Sequence, residues 1–152
     1  MSVQCVRKNV AFIVGVLRAA INVEEKIELS RLALLMPLLA DDTIVSTVNN
    51  GSIQHNFYTL VSTNRILLAN YNERYLSTLP LLYQAIALML DIDAVSMKDG
   101  ILVKLESNVL FDMEVSCNCQ SLTNMCKATQ KLLKMTENKS IMSMYKLLNV
   151  EL

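Results

Sequence analysis

The chain of 152 residues has little charge, one histidine and three glycines, and its 14 basic and 14 acidic residues cancel. Each shortage excludes something. Zero net charge argues against a general electrostatic hold on nucleic acid, which needs a basic excess on one face. Gly15, Gly51 and Gly100 are too few and too scattered for phosphate-cradling loops, which depend on close approach of a glycine backbone. The single histidine, His55, stands among Gln54, Asn56 and Phe57 with no metal-ligand partner nearby, and reads as a surface residue. No Gly-x-Ser-x-Gly elbow, paired-histidine motif or other catalytic signature occurs.

Long hydrophobic runs are also missing. The longest apolar stretches, Val10–Leu17 and Leu32–Ala40, fall short of the roughly 20 residues that cross a bilayer, so no membrane association is expected. Arg7 and Lys8 precede the first stretch as in a signal peptide, but Arg18 interrupts it and no small-residue cleavage site follows. The four cysteines (Cys5, Cys117, Cys119 and Cys126) include no Cys-x-x-Cys pair and have no fourth ligand near the cluster. They read as reduced thiols of a cytoplasmic protein, with no metal and no cofactor expected.

What the chain has in quantity is apolar side chains, at 53% hydrophobic against 18% charged. A typical soluble domain carries about 25% charged residues. Either the core fraction is unusually large or a partner covers part of the surface; the second is favoured for so short a chain.

The apolar positions follow mostly helical spacing. Val10, Ile13, Val14, Leu17 and Ile21 form one face, and Glu24–Lys26 reads as a connection. Ile27 to Leu39 forms a second helix with Ser30 as its cap, and Pro37 either kinks it or opens another. Asp41 and Asp42 start a helical turn that Asn49-Asn50-Gly51 stops. Helices are expected over Ser52–Val61 and Thr63–Ala69, followed by a polar cluster, Asn70–Arg74. The next helix spans Asn72–Asp91, or begins near Ser77 or Thr78 as cap with Pro80 in its first turn. Asp99-Gly100 between β-prone runs signals a hairpin. The segment Asn108–Asn118 is ambiguous, and helices over Cys119–Met135 and Lys139–Leu148 close the chain.

The expected fold is therefore mainly α: a compact helical domain with a winged-helix-like helix plus β-hairpin unit. One domain spans 1–152, with a helical part 9–70, the winged-helix-like part 72–105 and C-terminal helices 119–148. In a DNA-reading winged helix, Leu79–Asp91 would be the recognition helix. It holds no Lys or Arg and is apolar nearly all round, so it is expected to be buried in the core or in a partner. The carboxylate pairs Glu24-Glu25, Asp41-Asp42 and Asp91-x-Asp93 suit connections, helix starts and turns better than an acid/base site. No enzymatic activity is expected.

Nine methionines are many for this length, and Met135, Met142 and Met144 with Tyr145 are candidates for an adaptable protein interface. Lys127, Lys131 and Lys134, on one helix, are candidates for weak contact to a DNA backbone.

Several of these segments resemble the small middle component of bacterial three-component ABC-ATPase systems, of which Lamassu-type defence complexes are the best known. The resemblance rests on Leu35-Met36-Pro37-Leu38-Leu39 closing Leu29–Leu39, on Asn72-Glu73-Arg74-Tyr75 followed by Leu79-Pro80-Leu81-Leu82-Tyr83-Gln84-Ala85-Ile86, and on the hairpin Val95–Val103. The ending Tyr145-Lys146-Leu147-Leu148-Asn149-Val150 is similar too, with Asn149 where that family often has glycine. The resemblance implies a non-catalytic subunit that bridges an SMC-like coiled-coil ATPase and a nuclease effector in anti-phage or anti-plasmid immunity, touching DNA only within the complex. It carries over no catalytic residue. The alternative is a stand-alone winged-helix regulator that binds DNA.

Overall fold

The computed structural model describes residues 9–51, 56–106 and 120–151. In chain order these form α1 (Val10–Val23), β1 (Lys26–Glu28), α2 (Leu29–Leu39), α3 (Asp42–Asn50), α4 (Phe57–Thr63), α5 (Tyr71–Asp91), β2 (Val95–Lys98), β3 (Ile101–Lys104), α6 (Gln120–Thr136) and α7 (Ile141–Leu148). The protein is mainly helical with one small antiparallel sheet in the order β1-β3-β2. His55, Cys5, Cys117, Cys119 and the ambiguous segment 108–118 lie outside the described residues.

Local chemistry explains most helix boundaries. Asn9, Asp41, Asn56 and Ser140 each sit in extended conformation at an N-cap and accept a main-chain N–H of the first turn. Asp41 accepts two, from Thr43 at 2.9 Å and Ile44 at 3.2 Å. The last helix ends on Asn149 in the left-handed region, with φ of 52°, and the Val150 N–H closes back on the Tyr145 carbonyl at 3.1 Å. Asparagine and glycine both suit that conformation, so the Asn149 departure from glycine preserves the turn.

The connection expected at Glu24–Lys26 is in part a strand. Ile27 faces the core opposite Leu102, and Lys26 and Glu28 pair with Val103 and Ile101. Three residues carry too short a pattern to read as β, and the strand exists because the hairpin gives it a partner. The hairpin is as expected. Asp99 and Gly100 take φ of 52° and 75°, the two positive values that a two-residue I′ turn needs.

Two expected helix starts move. Leu29–Leu39 begins directly after β1 with Glu28 at its cap position, so Ser30 is inside it and Pro37 sits in its last turn. The alternative start at Ser77 or Thr78 moves back to Tyr71, in agreement with the Asn72–Asp91 span, and the helix takes in the polar residues 72–74 and runs through Pro80 for 21 residues. The Ser77 and Thr78 hydroxyls donate back to the Arg74 and Tyr75 carbonyls rather than capping. Pro80 is tolerated because it and Leu76, whose carbonyl loses its donor, both lie on the solvent side. The segment expected as a helix over Thr63–Ala69 is a run of turns after α4.

α2 is the centre of the molecule, packed by α3, α5, α6, α7 and β1. Every residue from Arg31 to Leu39 is buried. α1 packs on α5 and α6; an added Cβ at Gly15 would stand 3.3 Å from Leu122 Cδ1, so the glycine lets α1 and α6 approach closely. No single helix among the described residues is long and apolar enough to cross a membrane; α2 and α3, apolar together, are bent by 98°.

Candidate functional site

Two arginines that the sequence reading did not single out lock the scaffold. Arg31 is buried and forks onto both Glu24 carboxylate oxygens, at 2.7 and 3.0 Å. Its Nε donates to Thr136 Oγ1 at 2.9 Å, and the guanidinium also donates to the Leu133 carbonyl. One side chain thus joins the end of α1, the start of α2 and the end of α6. Arg74 donates to Asp41 at 2.7 Å and to the Leu67 carbonyl, tying α5 to the start of α3. An arginine at helical spacing in an apolar segment gives no local sign of such a role, since its partners lie far along the chain.

A tyrosine column runs beside these anchors. Tyr71 and Tyr75 stack at 6.4 Å and Tyr145 meets Tyr75 edge-on at 6.4 Å. Tyr71 donates to the Leu34 carbonyl of α2. Burial, reinforced by the neighbouring tyrosines, pushes the Tyr71 and Tyr75 phenols well above their usual pKa, so both stay protonated donors.

The column opens onto a groove of about 440 Å³. Its walls are Leu29, Ser30 and Ala33 of α2, Tyr75, Leu79 and Tyr83 of α5, the turn Asp99–Ile101 and Tyr145 of α7. Outside the groove α5 continues as an exposed apolar stripe. Leu76, Pro80, Tyr83 and Ala87 recur at i, i+4, i+7 and i+11, all exposed, with Leu88 beside them and Ile92 just beyond. Leu76, Tyr83 and Leu88 are 53%, 55% and 50% exposed. Of the two alternatives expected for this helix, burial in the core holds for one face only: Leu82, Ala85, Ile86 and Met89 form its core face, while the opposite face is open. α2 takes the central position and is enclosed by its neighbours, and α5, packed against α1 and α2, keeps an outward face.

The predicted interface residues separate. Met144 is completely buried and offers no surface, because it faces α2 from the inner side of α7. Met135 is half-buried against the core. Met142 is the most open, at 63%, and Tyr145 lines the groove.

Lys127, Lys131 and Lys134 are exposed and share the solvent face of α6. Lys131 is engaged within the chain. Its ammonium donates to the Val48 and Asn49 carbonyls at 3.3 and 2.8 Å, at the negative end of α3. Lys127 and Lys134 point away without a polar partner among the described residues. No cluster of metal-ligating side chains is found among the described residues.

Comparison with protein-family models, with curated proteins and with solved structures found no match.

Proposed function

We propose that this protein is a non-catalytic accessory subunit that docks to a larger protein through the open face of α5. One observation carries this reading: an apolar stripe, Leu76-Pro80-Tyr83-Ala87, lies exposed along one face of α5 beside a tyrosine-lined groove. Such a stripe on a rigid helix is the form in which helical interfaces present their anchors. Tyr83 and Tyr145 add the aromatic groups with a polar tip that are enriched at binding surfaces.

The partner suggested by the segment resemblance is an SMC-like coiled-coil ATPase, with a nuclease effector held in the same cytoplasmic complex, as in Lamassu-type anti-phage and anti-plasmid defence. Under this reading the protein supplies a bridge, and any DNA contact, through Lys127 and Lys134 of α6, occurs within the complex. Co-expression with an SMC-like ATPase encoded beside it tests the proposal. Stoichiometric co-purification is expected, and Leu76→Asp with Tyr83→Asp should abolish it while leaving the fold intact. A chain that purifies as a stable monomer with no affinity for such an ATPase refutes it.

The alternative, a stand-alone winged-helix regulator, is favoured by one feature: a long helix leads straight into a hairpin whose β3 pairs with a strand near the N-terminus. Its chemistry is against it. The open face of α5 between Leu76 and Asp91 has no cation to meet a phosphate or a base edge. In the wing region Lys104 turns its ammonium onto Asn22, at 3.1 Å. A gel shift with the isolated protein at low salt separates the two readings, and no shift is expected.

A further inference from the structure

α4, the turns that follow it, the first turn of α5 and the end of α7 line a second cleft of about 440 Å³, which shares no lining residue with the tyrosine groove. That volume lies within the roughly 300–1,000 Å³ of small-ligand sites. Arg65 comes to its wall from the turns and Lys146 from the last turn of α7. Neither has an ion-pair partner among the described residues, and no carboxylate lines the cleft. The remaining polar groups include the Tyr58 phenol, the Ser62 hydroxyl and the Asn72 amide. Tyr58 lines the cleft and is 54% exposed, so part of its side chain is open to a ligand.

In a chain whose charges cancel, two unpaired cations from different elements on one concave wall single out anions as ligands. Arginine and lysine together suit a phosphate, the first as a planar fork and the second as a point charge. An aromatic ring lining the cleft adds a surface on which a planar base stacks. The walls are also fixed. Asn64 Nδ2 closes the end of α4 on the Leu60 carbonyl at 2.8 Å, and Asn72 Oδ1 accepts the Glu151 N–H at 3.2 Å, holding the chain after α7 against α5. This placement does without a glycine loop, since side-chain cations take the part that backbone N–H groups play in such loops.

We infer that this cleft binds a mononucleotide, with its phosphate between Arg65 and Lys146 and its base against Tyr58. Both cations are exposed, so binding is modest, with a Kd on the order of 10⁻⁴ M, and weakens as salt is raised.

Calorimetric titration of the full chain with adenosine monophosphate, with adenosine and inorganic phosphate as parallel ligands, tests it. Saturable binding at one nucleotide per chain is expected, with adenosine undetected and inorganic phosphate several-fold weaker. Arg65→Ala and Lys146→Ala should each lower nucleotide affinity about tenfold, the loss of one charge-assisted contact. Arg65→Lys should recover part of the loss. Tyr58→Ala should weaken the nucleotide and leave inorganic phosphate unchanged. These side chains are at the surface, so circular dichroism should report intact folds. No binding at millimolar nucleotide, or binding indifferent to Arg65→Ala and Lys146→Ala, overturns the inference. Equal binding of adenosine removes the phosphate role. Equal binding of phosphate, or tighter binding of a single-stranded oligonucleotide than of the mononucleotide, removes the mononucleotide as ligand.

Discussion

α2 and α5 are alike in sequence and opposite in fate. Each is strongly apolar and each carries a proline, Pro37 in one and Pro80 in the other. α2 is buried on every side from Arg31 onward, whereas the second half of α5 keeps a core face and an open face. The difference comes from position. α2 lies at the middle of the domain with helices around it and a strand feeding into it; α5 forms one wall, and among the described residues no element packs on its outer face. Apolar character alone thus measures how much surface should leave water, and the surrounding elements decide where that happens within the chain. The face left over on α5 is what makes an interaction role the best-supported reading.

The sharpest test of this contrast is truncation of a leucine in each helix. Leu34→Ala, in fully buried α2, should lower stability by about 3–4 kcal/mol through lost transfer energy and a cavity. Leu88→Ala, half-exposed on α5, should stay within about 0.5 kcal/mol. Urea denaturation midpoints compare the two, and equal losses would mean that the open face of α5 is covered in the isolated chain.

Next in size is the polar anchor of α2. Arg31→Ala should cost about 2–3 kcal/mol, less than a fully buried pair because Glu24 keeps some contact with water. Arg31→Ala with Glu24→Ala should be less damaging than the sum of the single changes, since no charge is then left without its partner; thermal unfolding of the three variants and the unchanged chain measures the coupling.

Alkaline pH attacks the bond between the two helices, from Tyr71 on α5 to the Leu34 carbonyl on α2. The phenols of Tyr71 and Tyr75 are held above the ordinary value of 10.0 in the folded state. The unfolded chain therefore loses these protons first, and their contribution to stability, complete below about pH 10, falls as pH rises beyond it, by up to about 1.4 kcal/mol per unit for each phenol. Tyrosinate absorbance followed with circular dichroism should show these two groups ionising together with unfolding.

The smallest effect on stability is expected at the exposed stripe. Leu76→Asp and Tyr83→Asp should change the unfolding midpoint little, within about 0.5 kcal/mol each. They should raise solubility of the isolated chain and remove partner binding. A large loss of stability would place these side chains in the core and withdraw the comparison.

Much of the architecture was legible in residue order. Caps such as Asp41, the stop at Asn49-Asn50-Gly51 and the Asp99-Gly100 turn act through their own backbone neighbours, so they can be read without knowing the rest of the fold. The start of α5 was legible in part: the spacing supports a helix from Asn72, but Pro80 and the polar Asn72, Glu73 and Arg74 leave Ser77 or Thr78 as an equal local choice until tertiary packing buries Tyr71 and Tyr75. The site was less legible still. Periodicity placed Tyr145 and Met144 on neighbouring positions of one helix, but only the direction of α7 relative to α2 turns Met144 inward and leaves Tyr145 on the groove. Lys131, one of three similar lysines on α6, became a clasp for the end of α3 by proximity alone.

The sequence by itself determined the mainly helical class, the hairpin, the helix start at Asp41-Asp42 and an apolar excess, because periodicity, helix-end charge and turn chemistry act over a few residues. Tertiary structure alone decided that β1 exists, that Arg31 and Arg74 are anchors, which face of α5 stays open and that Arg65 and Lys146 line one cleft. Each of these depends on how elements distant in the chain pack together, and no local pattern carries that information.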